Sequence, residues 1–219
     1  MARQTQSWAE HPIVRPAHDR YFPPSVKVGF PSWWNAGRLR CHNHNRMKSP
    51  VGSVSKHKPI AHGVTIGHVH LKVADLERAM EFYCGVLGFE VTQRLGTQAV
   101  FVSSGGYHHH IGLNTWESRG GSPPPPGATG LFHLAILYPT RALLADALRR
   151  LLAAGLAPDG ASDHGVSEAI YLRDPDGNGV ELYRDRPGDQ WPRLPDGSLA
   201  MFTRPLDLED LLREAQASD

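Results

Sequence analysis

The side chains best suited to chemistry are two histidines and one carboxylate on three separate strand-like stretches. His68 lies in Ile66-Gly-His-Val-His-Leu-Lys-Val73, His133 in Leu131-Phe-His-Leu-Ala-Ile-Leu137, and Glu181 in Val180-Glu-Leu-Tyr183. A carboxylate in the middle of a strand is costly unless it faces water, a counter-charge or a metal. Two imidazoles and one carboxylate could form a facial triad for Fe(II), Mn(II), Ni(II) or Zn(II), leaving positions open for substrate. Taken singly, each residue is better read as a satisfied histidine or a solvated carboxylate, since the chain has 13 histidines. The set weighs more, because His68 and His133 hold matching places in a repeat.

Other candidates surround these three. His108-His109-His110 could supply a fourth ligand or an acid/base group, because imidazole titrates near neutrality. Strand alternation would put His108 and His110 on one face and His109 on the other. His164 lies in Gly160-Ala-Ser-Asp-His-Gly-Val-Ser167, a loop by composition, and Tyr171 on the strand that follows. Both could hydrogen-bond a phenolate or carbonyl held at a metal. The chain lacks a G-x-S-x-G, a P-loop and a strand-linked G-x-G-x-x-G.

The elements that must position these residues repeat. A strand at 66–73 is followed by the N-cap Asp75 and a helix to about Val86. That helix has Leu76, Ala79, Met80, Tyr83, Val86 and Leu87 on one face and Gly88 as its stop. Strand-like runs follow at Phe89–Gln93, Ala99–Ser103 and His108–Asn114. Residues 118–130, with Pro123 to Pro126 consecutive, read as a stiff linker. The order then recurs. A strand at 131–137 precedes the N-cap Thr140 and a helix Arg141–Ala154, with Leu144, Ala147, Leu148, Leu151 and Leu152 inward and Gly155 as its stop. Strands are expected near Leu156–Pro158, Glu168–Arg173 and Val180–Arg184. His68 and His133 stand 65 residues apart, each just ahead of a helix cap. The expected fold is α+β: two βαβββ modules pair into a cupped mixed sheet, with helices outside and polar residues on the concave side. Module one covers 63–117, the linker 118–130 and module two 131–187. A tail, 188–219, ends in a short helix whose Leu206, Leu208, Leu211 and Leu212 dock it onto the body or a partner.

Composition sets outer bounds. Residues 1–60 carry ten Lys/Arg against two Asp/Glu; the remainder carries thirteen against twenty. The basic, proline-interrupted segment 1–62 reads as a disordered extension, separate from an acidic core. Cys41-His-Asn-His44 within it lacks a spaced second pair of metal ligands. Two cysteines make no disulfide framework, and no apolar run or secretory leader is present, so a cytoplasmic protein is expected. The acidic core argues against nucleic acid, and the absence of an apolar run against a membrane partner. Exposed sheet edges make a homodimer plausible.

Gly67-His-Val-His-Leu-Lys-Val-Ala-Asp-Leu-Glu-Arg-Ala-Met-Glu-Phe-Tyr83 with Val86-Leu-Gly-Phe89 resembles the opening of a vicinal oxygen chelate module. That superfamily includes glyoxalase I, bleomycin-resistance proteins and extradiol ring-cleaving dioxygenases. Gly106-Tyr-His-His-His-Ile-Gly-Leu-Asn-Thr-Trp116, Asp163-His-Gly-Val-Ser-Glu-Ala-Ile-Tyr171 and Asp174-Pro-Asp-Gly-Asn-Gly-Val-Glu-Leu-Tyr183 resemble its catechol 2,3-dioxygenase-like branch. The resemblance implies that His68, His133 and Glu181 bind a divalent metal, Fe(II) first. It implies that His164 and Tyr171 assist, and that His109 or His110 handles the substrate proton. The implied function is extradiol cleavage of a catechol-type aromatic with O2. A glyoxalase-type lyase or isomerase is the alternative, although the carboxylate usual there is replaced by His108–His110. A non-catalytic binding protein of the resistance kind is the third reading, which the complete triad disfavours.

Overall fold

In the computed structural model of the chain, residues 58–216 are described. The readings on the basic segment, Cys41, His42 and His44 among them, lie outside those residues. The first βαβββ unit comprises β1 (Val69–Lys72), α1 (Leu76–Met80, continuing as a π-helix over Glu81–Val86), β2 (Glu90–Leu95), β3 (Ala99–Ser103) and β4 (Ile111–Asn114). The second comprises β5 (Leu134–Leu137), α2 (Arg141–Ala153), β6 (Gly160–Asp163), β7 (Ser167–Arg173) and β8 (Gly179–Asp185). A short strand β9 (Arg204–Pro205) and helix α3 (Leu208–Gln216) follow.

Both helices begin where side-chain capping can satisfy orphan amides. Asp75 accepts from the Arg78 amide at 2.9 Å and Thr140 from the Leu143 amide at 3.2 Å. They stop at Gly88 (φ 84°) and Gly155 (φ 74°), in the left-handed conformation that glycine adopts without a Cβ penalty. The first helix departs from a uniform 3.6-residue period. Its widened second half, with Leu87 N–H bonded to the Phe82 carbonyl at 3.0 Å, turns Phe82 into the core beside Tyr83. In α2 the buried face takes in Ala145, whereas Leu152 is exposed.

Each unit forms its own mixed sheet. The strand orders are β1-β4-β3-β2 and β5-β8-β7-β6-β9, with β1/β4 and β5/β8 parallel and the other pairs antiparallel. A parallel pair needs a long crossover, and in each unit the helix lies in that connection. Residues 156–158 form no strand. The strand starts at Gly160, inside the stretch expected to be a loop, and the tail adds β9 to its outer edge. Likewise β4 starts at Ile111, after His108–His110 rather than at them.

One face of each sheet enters a single hydrophobic cluster. Leu71, Val73, Val100 and Val102 reach it from the first sheet, and Ile170, Leu172, Val180 and Leu182 from the second. α1, α2 and Leu211 of α3 fill the rest. The tail helix therefore docks on the body, where Arg141 of α2 bonds Asp210 at 2.7 Å and Glu214 at 3.1 Å.

The Asp174–Gly179 turn joins the two units. Buried Asp174 accepts from the Tyr83 hydroxyl at 3.0 Å, from Asn178 Nδ2 and from the Asp176 and Asn178 amides. Asp176 accepts from the Ala74 amide at 2.9 Å and from Arg78 at 2.6 Å. The bonds from Tyr83, Ala74 and Arg78 cross the unit boundary to carboxylates that are themselves buried.

Candidate metal and acid/base site

β5 and β8 run parallel with Ala135 opposite Glu181. Alternation points Val180 and Leu182 into the core and Glu181 to the opposite face, together with His133 and Tyr171. His133 Nε2 and Glu181 Oε2 are 2.9 Å apart. The approach depends on Gly179. A Cβ built there would lie 2.1 Å from the Phe132 carbonyl oxygen and 3.0 Å from His133 Cβ. Only a bare backbone fits beside His133 at this point of β8.

Glu181 pairs across the antiparallel ladder with Tyr171, and the two side chains are hydrogen-bonded. Burial, and next the Glu181 carboxylate, push the Tyr171 hydroxyl well above the ordinary phenol range, so it keeps its proton. The same hydroxyl lies 2.7 Å from His164 Nε2. Four groups thus form an unbroken polar line: His133, Glu181, Tyr171, His164.

The tail orients His164, which composition alone did not indicate. His164 Nδ1 is 3.1 Å from the Phe202 carbonyl and 3.2 Å from Thr203 Oγ1. The Phe202 ring lies under Arg204, 4.2 Å from the guanidinium carbon. A Cβ at Gly165 would come within 2.6 Å of that ring. The Gly165 amide is held by Asp163 at 2.8 Å, and Asp163 accepts from Arg186 at 2.9 Å. Phe202 and Thr203 could not be found from spacing, because β9 exists only through its pairing with β6.

The other candidates sit on the first sheet. His68 immediately precedes β1, and with His70 it faces away from the core, opposite buried Leu71. Its ring centroid is 4.3 Å from that of His109 and 6.5 Å from that of His108. His109 also meets Phe101 edge-on at 5.0 Å. Burial and the neighbouring imidazoles hold the His109 pKa below its usual value. His110 turns elsewhere, with Nδ1 3.0 Å from Ser103 Oγ. Of the triple-histidine run, His108 and His109 therefore accompany His68.

His133 and Glu181 offer one imidazole nitrogen and one carboxylate oxygen at a single point, a donor pair suited to a divalent cation. Among the described residues, however, no group of three or more His, Cys, Asp or Glu could hold a metal. His68 belongs to a different cluster. Among the described residues His68 is grouped with His108 and His109, and His133 with Glu181.

The repeated βαβββ order and the parallel pairing in each unit agree with a family match over most of the described residues. Residues 65–182 match the model of the Glyoxalase/Bleomycin resistance protein/Dioxygenase superfamily, and the chain belongs to that family. It is 44% identical over 151 residues to a catechol-2,3-dioxygenase of Bacillus subtilis (strain 168), a match covering 68% of this chain and 52% of that protein. It is 34% identical over 118 residues to biphenyl-2,3-diol 1,2-dioxygenase 2 of Rhodococcus globerulus, covering 54% of this chain and 61% of that protein. The chain thus spans about half the length of the Bacillus relative. A solved glyoxalase/dioxygenase from Nostoc punctiforme aligns at 21% identity with a TM-score of 0.49, covering 61% of this chain and all of that one (100%). No helix among the described residues is long and apolar enough to cross a membrane.

Proposed function

We propose that the chain acts in extradiol cleavage of a catechol-type aromatic by O2. The observation that carries this reading is the polar line His133–Glu181–Tyr171–His164, in which two candidate ligands touch two candidate proton-handling groups. The names of the two relatives, both ring-diol dioxygenases, support the same chemistry over a lyase or a passive binder.

His133 and Glu181 would hold the metal. Fe(II) is the first choice, with Mn(II), Ni(II) and Zn(II) as alternatives. Such a cation, if bound, would supply Lewis-acid chemistry toward the diol and O2. The protein's own part is proton handling and orientation. Tyr171 keeps its proton and offers it to a carboxylate or a phenolate oxygen. His164 Nε2, 2.7 Å from the Tyr171 hydroxyl, can take up or return a proton there. Phe202 and Thr203 hold the imidazole in place from its Nδ1 side.

The test is anaerobic loading with Fe(II), followed by O2 uptake with catechol and with biphenyl-2,3-diol. Stoichiometric uptake with a yellow ring-opened product is the expected result. Iron-loaded protein that consumes no O2 with any vicinal diol would overturn the reading.

A further inference from the structure

His164 stands in the turn that joins β6 to β7. The mouth of that hairpin carries two like charges. Asp163 and Glu168 are direct partners in the antiparallel ladder. Carboxylates placed opposite each other push their strands apart unless a cation lies between them. Glu168 is paired with Arg141 and Arg184, each at 3.0 Å. Asp163 is paired with Arg186 at 2.9 Å.

Arg186, just past the end of β8, fastens this hairpin in more than one way. The Nη2 that meets Asp163 also reaches Glu168 at 3.0 Å, so one cationic nitrogen spans both carboxylates. The Arg186 amide donates to the Val166 carbonyl at 2.8 Å, inside the turn itself. Asp163 accepts from the Gly165 amide at 2.8 Å, and the His164 amide donates to the Ser167 carbonyl at 2.8 Å. Trp191 Nε1 donates to the Arg186 carbonyl at 2.7 Å and ties the arginine to the tail. One residue thus holds the mouth of the hairpin through its side chain and the tip through its backbone.

Resting on the acid/base role proposed for His164, we infer that Arg186 is the residue that positions it. By neutralising Asp163 and Glu168 together, Arg186 keeps the hairpin mouth shut. The imidazole is thereby held between the Phe202 carbonyl and the Tyr171 hydroxyl. A carbonyl has no proton to give, so the ring nitrogen that meets it, Nδ1, must carry one. Proton exchange with Tyr171 is then confined to Nε2. Without Arg186 the two carboxylates repel, the turn opens, and the ring is free to take either tautomer. A guanidinium suits this task because it stays charged throughout the working pH range and can serve two carboxylates at once.

The experiment uses the full chain, without metal for NMR of its nitrogen-labelled histidine rings and loaded with Fe(II) for turnover of catechol. Loss of signal in His164→Gln identifies the His164 ring. Wild type should show that ring protonated at Nδ1. Arg186→Met should move its signals toward a mixture of tautomers and lower kcat about tenfold or more, with iron content unchanged. Arg184→Met also takes a cation from Glu168 but leaves Asp163 paired, so its His164 signals should match wild type. Arg186→Met combined with Asp163→Asn removes the repulsion along with the arginine, and its signals should return toward wild type. Three outcomes overturn the inference: wild-type His164 signals in Arg186→Met, an equal displacement in Arg184→Met, or a combined variant no closer to wild type than Arg186→Met. Should Arg186→Met not fold, the combined variant decides: wild-type ring signals support the inference, and any other result overturns it. The ring signals are read without iron or substrate. A wild type that opens no diol therefore overturns the extradiol reading alone, while the spectra still decide the role of Arg186.

Discussion

Tyr83 and Asp174, 91 residues apart in sequence, meet through a 3.0 Å hydrogen bond between the hydroxyl of one unit and the carboxylate of the other. Tyr83 is fully buried and Asp174 nearly so. Tyr83→Phe removes one of four donors to Asp174 and should cost about 1–2 kcal/mol. Asp174→Ala strands the Tyr83 hydroxyl and two backbone amides and should cost about 3 kcal/mol or more. Urea denaturation of both variants measures the difference; a Tyr83→Phe variant as stable as the wild type would mean that the bond between units contributes nothing of its own.

A second buried carboxylate gathers three arginines. Glu168, with its side chain 6% exposed, accepts from Arg141, Arg184 and Arg186, each at 3.0 Å. Glu168→Ala leaves three guanidiniums crowded without their common anion and should destabilise the fold by about 3–5 kcal/mol. Denaturant midpoints compared with an exposed control such as Glu117→Ala check this. A shift no larger than the control's would show that Asp163, Asp210 and Glu214 suffice as partners.

Alkaline stability should follow the tyrosines. Burial comes first among the causes that raise the pKa of Tyr83, Tyr138, Tyr171 and Tyr183; nearby carboxylates add to it, and at Tyr138 the Arg150 charge works against it. Unfolded tyrosine ionises near pH ~10, so above that pH the unfolded chain releases protons that the folded chain retains. Stability conferred by these groups is complete below about pH 10 and falls as pH rises through their folded values. Ultraviolet titration of native and denatured protein should show native phenolate appearing later and together with unfolding. Coincident curves below the unfolding transition would contradict it.

Gly179→Ala should disturb the site from a position that carries no side chain. A Cβ there would press on the Phe132 carbonyl and His133, so β5 must shift. Metal affinity should fall by about tenfold or more, since donor placement sets it, and circular dichroism should still report a folded chain. Unchanged affinity would mean that the His133–Glu181 approach tolerates a wider gap between the strands.

Tyr171→Phe and His164→Ala should separate proton handling from metal binding. Both should keep iron bound while lowering turnover about 100-fold or more, the usual range for an acid/base group. Loss of iron in either would place that residue among the ligands instead.

Much of this was legible from local chemistry. Asp75 and Thr140 announce their helices because a capping side chain acts on amides two or three residues away. Leu144, Leu148 and Leu151 keep strict helical spacing and are buried. The nearness of His133 to Glu181 also followed, as each stands on a strand of the same repeat. What failed was what depends on distant partners. The π-turn that buries Phe82 leaves no periodic signature. His108–His110 read as strand, but Thr92 holds the His108 carbonyl at 2.7 Å and Ser103 holds His110, so they run as a bend. Alternation assigns His68 and Glu181 each to a face. It says nothing about how the two sheets hold those faces relative to each other, and among the described residues no three such ligands gather at one point.

The clasp at Asp174–Asn178 has a consequence for recombination between relatives. The proline-rich segment 118–130 is the natural crossover point, because no strand passes through it. Any crossover there sends Ala74, Arg78 and Tyr83 to one parent and Asp174 and Asp176 to the other. A chimaera inherits a working joint only when both parents keep the same hydroxyl, guanidinium and carboxylates. Swapped halves that are each well formed would otherwise fail at their seam.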